Sequence, residues 1–318
     1  MTHQAERDGT RLDVGVAGWA FHRSILQKRS LSLLDFPALA RQEYGVGTVE
    51  LVSEFFESQT AGYLNRLRRA LEAERVEVHG IAVDQGNISS ADESERRTSL
   101  EALKQWFYVA RAIGGRAIRV NTDDFEPLVE LLVARRPLPP GAILFAWPTL
   151  SDDERRAAVE RSAAAYVELA LVAAETQVKL LIENHGGVTG DPRNIAYLLG
   201  RVDSPWLATC PDNQNPYDGD AWEAGTKVLA PRAHSVHVKI SGYNPDGIQT
   251  FVAPNGSSRT QDLRRFLSIV LESGYRGPFN LEYNFAETDE RVGTGKGLAY
   301  LREMLARFDE AAGPDSRR

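Results

Sequence analysis

The chain has 318 residues, 42% hydrophobic and 25% charged, and a net charge of −7. That balance speaks against a nucleic-acid groove or an anionic membrane surface as partner, and no apolar run approaches membrane-span length. A single cysteine, Cys210, excludes an internal disulfide. With a polar N-terminus that lacks a signal-peptide core, it predicts a cytoplasmic protein.

Leu12 to Ala20 reads as a first strand, closing on Trp19 and Phe21. A helix is predicted over Leu31–Tyr44, broken by Gly45-Val-Gly47, then a strand Thr48–Val52 and a helix Thr60–Glu74. Val76–Val83 is a third strand. Glu93–Ile113 is the clearest helix, with Leu100, Leu103, Phe107, Ala110 and Ile113 on one stripe and Gly114-Gly115 at its end. Ala117–Val120 is the fourth strand.

There the alternation pauses. Residues 121–148 read as an insertion that either closes a pocket or meets a second subunit. Ser151 caps a helix running to Thr176, its first-turn acids suiting the positive helix end. The fifth strand, ending Ile182-Glu-Asn-His-Gly-Gly187, precedes a helix begun by Asp191-Pro192. Strands ending in Asp212 and carrying His237 follow, then a loop at Ser241–Ser258 and a helix Thr260–Ser273. The Glu282 strand and a last helix, about Asp289–Phe308, complete the pattern.

Eight strands alternating with about eight helices imply parallel crossovers closed into a (β/α)8 TIM barrel. Residues 12–310 form one domain between disordered tails at 1–11 and 311–318.

In such a barrel the carboxyl ends of the strands share one mouth. Glu183, Asp212, His237 and Glu282 lie on strands five to eight, so they can meet around one ion. Three carboxylates packed together without a cation would repel. An oxygen-rich set with one imidazole suits Mn²⁺, with Mg²⁺ or Co²⁺ as alternatives, better than a structural zinc.

Around this set, His185 either contacts a substrate oxygen, acts as base, or packs against Gly186. Lys239 either neutralises an oxyanion or pairs with one of the carboxylates. Asn215 bonds a substrate hydroxyl or caps a helix. Trp19, Phe21 and Trp147 are candidate pocket walls, Glu50 a polar interior residue away from the ion, and His79 and His234 structural. Gly293-Thr-Gly-Lys-Gly297 reads as a flexible loop rather than a phosphate cradle.

The pieces Ile182–Gly187, Pro211-Asp-Asn-Gln-Asn215, Val236-His-Val-Lys239 and Gly274–Glu282 resemble the xylose isomerase-like barrels, in their sugar-phosphate isomerase/epimerase branch, from about Leu12 to Phe308. The resemblance implies that Glu183, Asp212, His237 and Glu282 hold one divalent metal. It also implies that Glu183 and Glu282 move protons during isomerisation or epimerisation of a sugar-like hydroxy-ketone through an enediolate. Asn215 stands where ketose 3-epimerases of that superfamily usually carry a histidine. The alternative within the superfamily is a lyase, either a keto-inositol dehydratase or a C-glycoside deglycosidase catalytic subunit. The expected partners are a small sugar-like substrate and a homo-oligomer or small subunit over the mouth. An endonuclease IV-like repair enzyme is excluded, since six histidines are too few for its several zinc ions.

Overall fold

The computed structural model describes residues 12–123, 147–215, 222–252, 258–283 and 289–311. Eight parallel strands run in the order β6-β5-β4-β3-β2-β1-β10-β7. They are β1 (Val14–Ala17), β2 (Thr48–Val52), β3 (Glu77–Val83), β4 (Ala117–Val120), β5 (Lys179–Glu183), β6 (Leu207–Cys210), β7 (Val236–Ile240) and β10 (Phe279–Tyr283). Two isolated parallel bridges, Thr209 to Ala233 and Asp212 to His237, join the outer strands β6 and β7. The sheet therefore closes on itself, as the alternation requires.

Strand alternation sorts the side chains. Leu180 and Ile182, Val236 and Val238, and Phe279 and Leu281 join the main core under the helices. Their neighbours turn into the barrel, where Ala117, Leu181, Ala208 and Cys210 form a separate small apolar cluster. Above that plug the inward positions become polar: Glu50, Arg119, Glu183, His237 and Lys239 are all buried. Apolar residues thus hold the barrel while its interior is left to chemistry.

The helices are α1 (Phe36–Ala38), α2 (Ala61–Glu74), α3 (Glu93–Ile113), α4 (Asp152–Thr176), α5 (Pro192–Val202), α6 (Trp222–Leu229), α7 (Leu263–Glu272) and α8 (Glu290–Ala311). Asp92 caps α3 by accepting from the Ser94 and Glu95 backbone N–H groups, and Gly114 ends it at φ 78°. Ser151 and Glu154 form a reciprocal capping box on α4. Among the described residues no helix is long and apolar enough to cross a membrane.

Four expectations change. The helix predicted over Leu31–Tyr44 is shorter, with α1 passing into a wider turn at Leu39–Glu43. The loop at Ser241–Ser258 instead contains strand β8 (Ile248–Val252), paired antiparallel with β9 (Ser258–Asp262), so the next helix starts at Leu263. These strands are polar and lack the apolar alternation that marks a core strand. Their buried members are glutamines: Gln249 accepts from the Ser241 and Gly242 N–H groups at 2.8 and 3.0 Å.

The Gly293–Gly297 stretch lies inside α8, not in a loop before it. A Cβ at Gly293 would stand 2.0 Å from the Tyr283 ring, and one at Gly297 2.9 Å from Leu281 Cδ2. The glycines let α8 approach β10. Lastly, α8 continues to Ala311, past the predicted helix end at about Phe308. Most of the 121–148 insertion lies outside the described residues.

Candidate active site

The carboxyl ends of β5, β6, β7 and β10 bring Glu183, Asp212, His237 and Glu282 together. His237 Nδ1 lies 2.8 Å from Glu183 Oε1, 3.8 Å from Glu282 Oε2 and 3.9 Å from Asp212 Oδ2. Donor atoms of Glu183, Asp212 and His237 all lie within 4.8 Å of one another. Glu183 Oε2 and Asp212 Oδ2 are buried and accept no hydrogen bond among the described residues, meeting cations only as ion pairs. A compact set of hard oxygens and one imidazole with acceptor capacity to spare fits a divalent cation.

Two asparagines fix this geometry. Asn184, next to Glu183, donates to the Asp212 carbonyl at 2.9 Å and accepts from the Asp212 N–H at 2.8 Å. Asn213 repeats the device one strand on, bonding the Lys239 carbonyl at 2.9 Å and N–H at 2.7 Å. Each side-chain amide acts as one more rung of the ladder where the strands splay apart. Asp212 Oδ1 then accepts the N–H groups of Gln214 and Asn215, both at 2.7 Å, which aims Oδ2 inward.

Lys239 settles between carboxylates, its Nζ 3.1 Å from Asp212 Oδ2 and 3.3 Å from Glu282 Oε1. Of the two roles expected for it, the structure shows the ion pair, with two partners. Burial alone would lower its pKa, but Asp212, Glu282 and Glu183 raise it. Asn215 donates to Glu183 Oε1 at 3.0 Å and accepts from Lys239 Nζ.

Arg119 and Asp84 escaped the sequence reading. Arg119, buried in β4, places Nε 2.9 Å from Glu183 Oε2 and bonds Asp84 through Nη1. Asp84 also accepts from Trp19 Nε1 at 2.7 Å and Asn121 Nδ2 at 2.8 Å. A charged residue inside the short apolar run Ala117-Ile-Arg-Val120 was the available signal. Burial would raise the Glu183 pKa, yet Arg119 and His237 hold it far below the usual carboxylate range. Among the described residues Glu282 has no such clamp, and burial, with Asp212 nearby, raises its pKa against the pull of Lys239.

Glu50 is not remote from the ligand set, as the sequence suggested. Its two carboxylate oxygens lie 2.8 and 2.9 Å from His237 Nε2. Burial would lower the His237 pKa, but Cys210, Glu50 and Glu183 raise it well above the ordinary histidine value. The Cys210 thiol, by contrast, is pushed up to about 11 by burial.

His185 belongs to the cluster electrostatically, with Glu183, Arg119, Asp84 and Lys239 around it; burial leads in lowering its pKa to about 4. Trp19 lies at the mouth through Asp84, its ring edge-on to Phe55 at 5.5 Å. Phe21 is core, packed on Phe36. Trp147 holds its ring 5.8 Å from the Arg155 guanidinium. His79 and His234 stack 4.9 Å apart, apart from the carboxylates, as their structural reading requires.

Barrel and site together define a class. The sequence profile of the xylose isomerase-like TIM barrel family matches residues 38–304, and the chain belongs to that family. No curated protein is a significant sequence match. Among solved structures, a 3-keto-D-glucoside 4-epimerase of E. coli superposes with TM-score 0.68 at 14% identity, over 92% of this chain and 100% of that one. D-psicose 3-epimerase of Clostridium cellulolyticum H10, solved with D-tagatose, gives 0.65 at 14% identity over 95% and 96%. A xylose isomerase-like barrel protein of Mycobacterium smegmatis, in complex with magnesium, gives 0.60 at 15% over 92% and 98%.

Proposed function

We propose that this protein is a divalent-metal-dependent isomerase or epimerase of a sugar or sugar-like hydroxy-ketone, with Glu183, Asp212, His237 and Glu282 as the metal-holding set. The observation that carries the reading is the convergence of these four side chains, three of them buried and Glu282 partly so, at one barrel mouth. The epimerases and the magnesium complex among its structural relatives support it. Mn²⁺, Mg²⁺ and Co²⁺ all suit the donor set. When bound, such an ion supplies Lewis acidity that polarises a carbonyl and its neighbouring hydroxyl.

The two glutamates divide the work. Arg119, His237 and Asn215 engage both oxygens of Glu183, which makes it a fixed ligand and a weak base. Among the described residues Glu282 meets only Lys239 at hydrogen-bonding range, and it is the more accessible of the two, so it is the proton acceptor we assign. Removal of the proton beside the carbonyl leaves an enediolate; return of a proton at the same or the adjacent carbon gives the product. Lys239 balances the charge of Asp212 and Glu282 as the proton moves. His185, neutral at pH 7, stands beside them as a group able to meet a substrate hydroxyl.

Incubation with ketoses in D2O tests the reading. Deuterium should enter the carbon beside the carbonyl, in a product of unchanged composition, and chelator should abolish exchange while the fold persists. Glu282→Gln should slow exchange by about 100-fold or more, the range for losing a positioned base. Release of a fragment in place of an isomer would shift the assignment to the lyase. Full exchange in folded Glu282→Gln would remove that residue from the chemistry.

A further inference from the structure

His237 presents a different set of ligand atoms to each of its ring nitrogens. Nδ1 faces the carboxylates of the mouth, 2.8 Å from Glu183 Oε1. Nε2 faces Glu50, whose two oxygens lie 2.8 and 2.9 Å away. Cys210, from the small apolar plug, joins this second set. Its Sγ, a Glu50 oxygen and an imidazole nitrogen of His237 all lie within 4.8 Å of one another. Each of the three residues is 1% exposed or less.

A tetrahedral ion with bonds of about 2.3 Å to sulfur and about 2.0–2.1 Å to nitrogen or oxygen holds its ligands roughly 3–4 Å apart. The three atoms therefore reach one ion by side-chain shifts of about an ångström. Room for such a shift is present. Gly80 lies beside Glu50, and a Cβ added there would meet nothing nearer than 3.6 Å, at Glu50 Oε2 and the Ala117 carbonyl.

Chemistry separates the two sets. Three carboxylates and an imidazole make the mouth a hard site, whereas a thiolate, one carboxylate and an imidazole make a soft one. The thiolate and carboxylate together neutralise a divalent ion. Burial holds the thiol proton in place, so only an ion with strong affinity for sulfur expels it.

We infer that Glu50, Cys210 and His237 Nε2 form a second metal site on the barrel floor, selective for a thiophilic divalent ion such as Zn²⁺, and that its occupation excludes the hard ion at the mouth. A neutral imidazole has one lone pair to give. An ion on Nδ1 needs the ring proton on Nε2, where Glu50 accepts it. An ion on Nε2 needs that proton on Nδ1, where Glu183 Oε1 accepts it, while the thiol proton leaves to solvent. The floor site rests on the geometry of Glu50, Cys210 and His237; the exclusion also rests on the proposed metal set of the mouth.

The test titrates Cd²⁺ into the full-length protein, with and without Mn²⁺. Cys210 is the one cysteine in the chain, so an ultraviolet thiolate-to-cadmium charge-transfer band reports its ligation directly. Stoichiometric Cd²⁺ should produce the band with the circular dichroism of the fold unchanged, and ¹¹³Cd–¹⁵N coupling should fall on Nε2 of His237. No band in the folded protein, or coupling at Nδ1, overturns the floor site. In Cys210→Ala, or Cys210→Ser should the alanine variant misfold, the preference for Cd²⁺ over Mn²⁺ should fall by about 100-fold or more, at or beyond the upper end of what losing an outer partner costs. An unchanged preference also overturns the site. Free Mn²⁺, followed by electron paramagnetic resonance, should rise in step with the band; Mn²⁺ retained while the band forms refutes the exclusion. If Mn²⁺ never binds, the mouth reading fails, and the band still decides the floor site.

Discussion

Glu50→Gln tests how the candidate metal centre is held. Both Glu50 oxygens lie within 2.9 Å of His237 Nε2, and each residue is only 1% exposed, so solvent offers no substitute partner. A carboxylate can only accept, which fixes the Nε2 proton and turns Nδ1 toward Glu183, Asp212 and Glu282. Glutamine keeps the shape but not the rule. If its carbonyl faces Nε2, the bond survives without charge assistance; if its amide does, the proton moves to Nδ1 and faces the cation. Losing one buried charge-assisted bond is worth about 1.5–3 kcal/mol. That matches the roughly 10–100-fold loss of metal affinity expected when a ligand histidine loses its outer carboxylate. Electron paramagnetic resonance of free Mn²⁺ during titration would measure the affinity, and ¹⁵N shifts of the imidazole would report the tautomer. Wild-type Mn²⁺ affinity in a folded Glu50→Gln protein would refute the reasoning.

Asn184→Leu strips the Asp212 backbone of both side-chain partners inside the barrel. An unfolding free energy lower by about 2–5 kcal/mol is expected in urea melts, since two buried polar groups lose their bonds; an unchanged melt would show that Asn184 is no clamp. Glu54 supplies a pH dependence of stability. Burial, then the neighbouring Asp84, pushes its pKa up to about 7. A raised carboxyl pKa means the folded state holds its proton longer than the unfolded chain. The associated stability is therefore complete below the ordinary value near 4.5 and is lost as pH rises through about 7. Glu54→Gln should melt higher than wild type at pH 8, by about 1–3 kcal/mol, and nearly alike at pH 4; equal melting at both pH values would contradict the burial argument.

The fold was legible because the barrel strands announce themselves. Runs such as Val178–Ile182 and Phe279–Leu281 are too apolar for a solvated sheet, and helices with clear stripes and caps separate them. Polar residues at the ends of the last four core strands likewise marked the site, because parallel strands deliver their carboxyl ends to one mouth. The β8–β9 hairpin was not legible: its pairing depends on polar residues whose partners, such as Tyr300 and Asn213 for Gln249 and Gln261, are distant in sequence. The helical state of Gly293–Gly297 was hidden for a related reason. Local propensity disfavours a helix there, and only close contact with Tyr283 and Leu281 accounts for the glycines.

By itself, then, the sequence determined the alternating pattern, the direction of the strands and the identity of the four converging side chains, since period and polarity are local properties. Tertiary structure decided which oxygen faces which cation. It locked Glu183 with Arg119 while leaving Glu282 the freer carboxylate, turned Glu50 onto His237, and set Glu290 against the Arg23 and Ser24 N–H groups. Those outcomes depend on distances between residues up to 267 positions apart. Coulomb and hydrogen-bond energies follow distance in space, which no spacing along the chain records.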